Sequence, residues 1–166
     1  MSESVSLKGN KVSLAGPALN VGDKAPKVIV VTKDLKEKEI GGENEKVQLI
    51  ITVPSLDTPV CEMEAKKFNE MLSKFENIDV NVISMDLPFA QNRFCESFNI
   101  KNITVASDFR NRDMGKYGVI IDEGALKGLT ARAVFIVNKE GKITYKQLVP
   151  EITQEPNYEE VLNALK

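Results

Sequence analysis

Histidine is absent from all 166 residues, and so is tryptophan. Without histidine, no hydrolytic dyad or triad with an imidazole base can be built. There are two cysteines, Cys61 and Cys95, 34 positions apart. A metal site would have to combine two distant thiols with carboxylates, which matches no zinc-binding spacing. An excess of one charge is also lacking, since 22 Lys and Arg stand against 24 Asp and Glu. Such a surface holds neither a nucleic-acid backbone nor an acidic membrane by charge alone. No apolar run is long enough to span a bilayer. Met1 to Asn10 lacks the apolar stretch of a signal peptide. The expectation is a cytoplasmic protein with no metal, nucleic-acid or membrane partner. In that reducing compartment a permanent structural disulfide is disfavoured. The cysteines are then either inert core thiols or redox groups.

What is present is ordinary for a soluble domain: 42% hydrophobic and 28% charged residues. The length suits one domain over 1–166, with no repeat or low-complexity linker. Val5, Leu7, Val12 and Leu14 alternate around Gly9-Asn10, which predicts an N-terminal hairpin within 1–20. Val28 to Val31 is a short β-branched run. Val47 to Val53 reads as a buried central strand, ended by Pro54. The period then changes. Cys61, Ala65, Phe68, Leu72 and Phe75 share one face of a helix, and Glu62, Lys66, Asn69 and Ser73 take the other. A strand over Val80 to Met85, a helix over Phe89 to Phe98 and a strand over Ile103 to Ala106 follow. Ala131 to Val137 and Ile143 to Val149 read as a hairpin around Asn138-Lys139-Glu140-Gly141, and Tyr158 to Leu165 as a closing helix. This order matches a thioredoxin-like α/β core with an added N-terminal β-hairpin. Its strand-helix-strand units lead us to expect helices on both faces of the sheet.

The chemistry concentrates in Pro54-Ser55-Leu56-Asp57-Thr58-Pro59-Val60-Cys61, which joins a strand end to a helix start. In open α/β sheets ligands favour the crevice beyond the carboxyl ends of the strands. A helix N-terminus, with its partial positive charge and unpaired N–H groups, favours a thiolate. Bringing a thiol from a pKa of about 8.5 to about 6 raises the thiolate fraction only about thirtyfold at neutral pH. A fast reaction therefore also needs groups that bind the substrate and stabilise charge in the transition state. Thr58 can offer a hydroxyl, Pro54 can wall the pocket, and a guanidinium is the suitable cation. Plain alternatives stand beside each reading. Cys61 can be a core thiol on an apolar helix face, and Thr58 an ordinary helix cap. Glu62 and Glu64 would raise a nearby thiol's pKa, and are equally ordinary acidic residues of a first helical turn.

The P-x-x-x-T-x-x-C run from Pro54 to Cys61 resembles the peroxiredoxin active-site motif. Val82-Ile83-Ser84-Met85-Asp86-Leu87-Pro88-Phe89-Ala90-Gln91, then Arg93-Phe94-Cys95, resembles one branch of it: the bacterial thiol peroxidases, atypical two-cysteine peroxiredoxins. Ser107 to Arg110, Tyr117 to Val119, Leu129 to Val134 and Leu148 to Thr153 add to the likeness, which runs from about Leu14 to the C-terminus. The resemblance implies that Cys61 is the peroxidatic cysteine, Thr58 its hydroxyl partner and Pro54 the pocket proline. It implies that Arg132 is the active-site guanidinium and Cys95 the resolving cysteine. Without it, Arg132 would read as a solvated strand-end charge and Cys95 as a helix thiol beside Phe94. Arg93 and Arg110 read as surface-pairing or dimer residues.

The implied cycle uses no cofactor. Cys61 is oxidised by hydrogen peroxide or an organic hydroperoxide to a sulfenic acid. Cys95 closes an intramolecular disulfide with it, and thioredoxin reduces the bridge. A homodimer is expected. Because a disulfide needs Cα atoms within about 7 Å, one cysteine-bearing helix should unwind. Closing the loop would stabilise the oxidised fold by roughly 3–4 kcal/mol, less the strain of unwinding. Two other readings remain. A disulfide reductase normally needs a close C-x-x-C pair, and Thr58 stands where its first cysteine would be. A redox sensor would use the same disulfide as a switch and would not turn over.

Overall fold

The computed structural model describes residues 2–166. β1 (Ser4–Leu7) and β2 (Asn10–Ala15) form the N-terminal hairpin, and β3 (Val28–Thr32) and β4 (Glu37–Ile40) a second one. β5 (Val47–Thr52), α1 (Pro59–Met71), β6 (Ile78–Ser84), α2 (Pro88–Phe98) and β7 (Thr104–Ser107) then alternate. A short β8 (Ile120–Ile121) precedes the hairpin of β9 (Ala133–Val137) and β10 (Ile143–Leu148), and α3 (Tyr158–Leu165) closes the chain. The main sheet has the order β10-β9-β5-β6-β7-β3-β4, and β1-β2-β8 form a smaller sheet. β5, β6 and β7 are parallel, while β9 runs antiparallel to β5.

β5 carries the apolar run Leu49-Ile50-Ile51 between Gln48 and Thr52 because both its faces are covered. Leu49 and Ile51 join the core beneath the helices, and Ile50 joins the core on the other side. Burying each such side chain contributes about 1.5–3 kcal/mol relative to exposure. The expected placement of helices on both faces is not what forms. Ala65 and Phe68 of α1, Phe94 of α2 and Val161 of α3 all pack into one core with Leu49, Val82 and Val134. The cause is topological. β5, β6 and β7 succeed one another in the same direction across the sheet, and two right-handed crossovers stepping the same way lie on the same side. The opposite face is covered by a 3-10 turn, Asp113–Tyr117, whose Met114 and Tyr117 are fully buried. The Tyr117 ring meets Phe135 edge-on at 5.3 Å, and its hydroxyl donates to the Pro26 carbonyl at 2.8 Å.

The N-terminal hairpin forms as expected, but its turn is Lys8-Gly9 rather than Gly9-Asn10. Leu7 pairs with Asn10, and both turn residues have positive φ, 51° and 84°. Those dihedrals suit a two-residue hairpin turn, and Gly9 adopts its own without a Cβ clash. β4 lies outside the expected elements because its sequence, Glu37-Lys38-Glu39-Ile40, is charged, as an exposed edge strand should be.

The hairpin is tied to the far end of the chain. The Ser6 N–H donates to the Pro150 carbonyl at 2.7 Å, and the Ile152 N–H to the Ser6 carbonyl at 2.9 Å. Between them, the Glu151 carboxylate accepts from the backbone N–H of Thr153 (3.0 Å), Gly9 (2.9 Å) and Lys8 (3.1 Å). These donors, with Thr153 the largest contributor, hold the Glu151 pKa down to about 2 from an ordinary 4.5. A depressed carboxylate adds stability above its unfolded pKa, and that stability is lost as pH falls toward the folded value. Urea midpoints of the unmutated protein and Glu151→Gln should therefore differ most above pH 4.5 and converge as pH falls toward 2. A gap that stays constant over that range would contradict the assignment.

Candidate active site

Pro54 follows the end of β5 and is buried; the loop from Ser55 to Thr58 then leads into α1. Thr58 is the extended N-cap, with φ −126° and ψ 148°, and Pro59 opens the helix, where its missing N–H costs nothing. The Glu62 N–H donates to the Thr58 carbonyl at 2.9 Å. Cys61 thus sits in the first helical turn, among the unpaired N–H groups, and is fully buried.

Arg132 reaches this cysteine from the opposite direction in the sequence. Antiparallel pairing sets Thr52 at the end of β5 against Ala133 at the start of β9. The residue before β9 therefore lies at the carboxyl edge of the sheet, beside the loop after β5. Two hydroxyls fasten the junction. Thr52 Oγ1 donates to the Ala131 carbonyl at 2.8 Å, and Thr130 Oγ1 to the Val53 carbonyl at 2.6 Å. The Arg132 guanidinium is buried, at 2% exposure, so it is not a solvated strand-end charge. Nη1 donates to Cys61 Sγ at 3.2 Å and to Glu64 Oε1 at 2.8 Å. Nε and Nη2 both donate to the Ile152 carbonyl, at 3.0 and 2.7 Å. The planar fork matches this spread of acceptors in a way that one ammonium could not.

The loop itself hangs on Asp86. Its carboxylate accepts from Ser55 Oγ (2.6 Å), the Leu56 N–H (2.7 Å) and Ser84 Oγ (2.7 Å). Thr58 Oγ1 donates to the Ser55 carbonyl at 2.8 Å, closing the loop on itself.

A cysteine at a helix start beneath a guanidinium on an α/β sheet invites comparison with known proteins. The Redoxin family model matches residues 20–162. The thiol peroxidase of Aquifex aeolicus is 69% identical over 166 residues, covering 100% of this chain and 98% of that protein. The thiol peroxidase of Campylobacter jejuni is 54% identical over 154 residues, covering 92% and 87%. The chain belongs to the bacterial thiol peroxidase family of redoxins. A crystal structure of a peroxiredoxin-like protein from Aquifex aeolicus superimposes with a TM-score of 0.96, at 70% identity and covering 98% of this chain and 95% of that one. A thiol peroxidase from Chromobacterium violaceum shares the fold at a TM-score of 0.87 with 20% identity, covering 98% and 94%. The thioredoxin-like fold expected from the element order is thus the fold observed.

Within this family member the five residues singled out in the sequence do not all meet. Arg132 lies on Cys61, and Pro54 is buried where the strand enters the loop. Thr58 is exposed, and its proton is taken by the Ser55 carbonyl rather than offered to the sulfur. Cys95 is buried in α2 and belongs to the same apolar core as Cys61, yet both thiols are free. Burial pushes the Cys95 thiol up, with Lys33 pulling the other way. Both residues line a cavity of about 440 Å3. A second cleft of about 210 Å3, between α1 and α2, is walled by Glu62, Asp86, Arg93 and Phe94, and its walls include neither Cys61 nor Arg132. Arg110 pairs with Glu37 at 3.2 Å on the surface.

Two parts of the site carried no sequence reading, and Glu64 was read only as a charge that raises a nearby thiol's pKa or as an ordinary first-turn acid. Glu64 had a signal: it lies three residues after Cys61, next to Ala65, and so within the apolar stripe, where a carboxylate needs a buried partner. Asp86 lies within the Val82–Gln91 stretch that carries the family resemblance, which assigns it no role. The Ile152 carbonyl is backbone and left no side-chain trace. Burial outweighs the pull of Arg132 and lifts the Glu64 carboxyl to about 7 from an ordinary 4.5. Burial also opposes the Arg132 charge, but Glu64 and Cys61 outweigh it and push that pKa up, so Arg132 stays charged. A carboxyl whose folded pKa is raised stabilises the fold below its unfolded value, and the gain is lost as pH rises through the folded value. The unmutated protein should therefore lose stability relative to Glu64→Gln between pH 4.5 and about 7. Urea titrations across that window check this; parallel stability curves for the two proteins would refute it.

Proposed function

We propose that this chain is a thiol peroxidase in which Cys61 is oxidised by a hydroperoxide, Cys95 resolves the product and thioredoxin recycles it. One observation carries the reading: the Arg132 guanidinium stands 3.2 Å from Cys61 Sγ in a buried site at a helix start. Such a donor stabilises the thiolate and the negative charge that develops as the peroxide bond breaks. The names of the relatives, thiol peroxidases of Aquifex aeolicus and Campylobacter jejuni, support the same chemistry.

In the first step the Cys61 thiolate attacks the terminal peroxide oxygen. The S–O bond forms, the O–O bond breaks, and the departing alkoxide or hydroxide is protonated to an alcohol or water. The Thr58 proton is engaged by Ser55, so this hydroxyl serves as an acceptor for the peroxide O–H. Pro54 walls the strand side. In the second step the Cys95 thiolate attacks the sulfenic sulfur, forms the disulfide and expels hydroxide, which leaves as water. The two cysteines lie in continuous helices with free thiols, so this step requires α1 or α2 to open locally. A dithiol then reduces the bridge by exchange, and thioredoxin, which carries one, is the reductant assigned here. A homodimer is the assembly assigned here, and the exposed apolar Met63, Leu87 and Phe89 are side chains that it could cover. No helix of the described residues is long and apolar enough to cross a membrane, and the cytoplasm suits a chain whose two thiols must be re-reduced.

Peroxide-dependent oxidation of reduced thioredoxin by purified protein tests the assignment. Cys61→Ser should abolish turnover while folding normally; near-normal turnover by that variant would sink the role of Cys61. Cys95→Ser should consume one equivalent of peroxide, then stall and drift to the Cys61 sulfinate. Mild oxidation of the unmutated protein should leave a monomer on non-reducing gels, with a Cys61–Cys95 crosslinked peptide. Covalent dimers as the main product would exclude intramolecular resolution.

A further inference from the structure

The two cysteine-bearing segments are joined by polar groups that the chemistry above does not use. Gln91 lies on α2 four residues before Cys95, so the two share a helix face. Its side chain is fully buried, and Nε2 donates to Ser84 Oγ at 3.1 Å and to the Ala106 carbonyl at 2.8 Å. Ser84, the last residue of β6, donates its own hydroxyl to Asp86 Oδ2 at 2.7 Å. Asp86 in turn holds Ser55 Oγ and the Leu56 N–H, as described above. The helix of Cys95 and the loop that leads into the helix of Cys61 are thus the two ends of one hydrogen-bonded chain.

We propose that Gln91, Ser84 and Asp86 form a latch through which α2 and the Ser55–Thr58 loop loosen together. These are positioning residues, and the inference rests on the roles given to Cys61 and Cys95 for its use in the cycle. Ser84 Oγ accepts from Gln91 and donates to Asp86, and such relayed bonds strengthen one another. Opening α2 removes the Gln91 donor, weakens the Ser84–Asp86 bond and slackens the carboxylate's hold on Ser55 and Leu56. Coupling between two sites is reciprocal, so slack in the loop equally eases the release of α2. The latch is also built to give way. The Gln91 Oε1 acceptor is buried without a partner, a state that costs free energy in the closed helix and is relieved when water reaches it. One of the two helices whose opening would bring Cys95 to Cys61 is therefore held by an anchor that is only half satisfied. In the other direction, arrival of the sulfenic oxygen at Cys61 would perturb the loop and thereby loosen the helix that carries its partner.

Amide hydrogen exchange on the reduced protein, with no peroxide present, tests the latch independently of the cysteines' roles. Gln91→Met keeps the length of the side chain and removes the donor. It should speed exchange at Leu56 and Asp57 roughly tenfold, in step with α2, as expected for one lost hydrogen bond. Asp86→Asn acts from the other end and should speed exchange at Phe94 to Phe98 by a similar factor. The amides of Leu49 to Ile51 in β5 should keep their protection in both variants, which a general loss of stability would not allow. If each variant loosens only its own segment, or if β5 exchanges faster in parallel, the latch is refuted.

Discussion

One buried cation organises the site, and much of the fold can be read as what is needed to keep it there. An unpaired guanidinium in the interior would cost several kcal/mol. Arg132 avoids that cost by meeting the Glu64 carboxyl, the Cys61 sulfur and, through two nitrogens, the Ile152 carbonyl. These acceptors come from two separate parts of the architecture. α1 carries both Cys61 and Glu64 on one face, three residues apart. The antiparallel β5–β9 pair places Arg132 at the edge of the sheet. The N-terminal hairpin holds the Ile152 backbone through Ser6, and so braces the carbonyl that accepts from two guanidinium nitrogens.

Sharing one nitrogen between a carboxyl and a sulfur has an electrostatic consequence. With Glu64 neutral, the full positive charge of Arg132 acts on Cys61; with Glu64 ionised, part of it is neutralised by a group at 2.8 Å. Because burial lifts the Glu64 pKa to about 7, both states are populated near neutral pH. The carboxyl thus holds the fork in place without cancelling its field outright. Donors fixed before the reaction need no reorganisation as charge moves onto the oxygens, which is where such a site gains rate.

Sequence patterning made much of this legible. The apolar run of β5, the helical stripe from Cys61 to Leu72 and the α3 boundaries follow from period and punctuation alone. Cys61 was marked out by its position after a strand, a proline and a threonine. Three things stayed hidden, for different reasons. The single-sided packing of the helices depends on strand order, which local periodicity does not encode. β4 is an edge strand whose Glu and Lys residues mask its pattern. The contact of Arg132 with Cys61 joins residues 71 apart, and spacing could not distinguish a buried guanidinium from a solvated one; family resemblance pointed to it. Glu64 was visible within the buried stripe, and its meaning appeared only once its partner was in place.

The claim that Arg132 drives the first chemical step is open to a direct measurement. The chain has no tryptophan, so the oxidation of Cys61 is best followed by quenched flow, with alkylation of the remaining thiol and mass spectrometry. Reduced Arg132→Lys and unmutated protein would each be mixed with hydrogen peroxide under second-order conditions. Loss of the fork's simultaneous contacts should slow Cys61 oxidation by about a hundredfold or more, the scale seen when one preorganised donor is removed. A folded variant that oxidises within about twofold of the unmutated rate would contradict that role and leave Arg132 only a structural one.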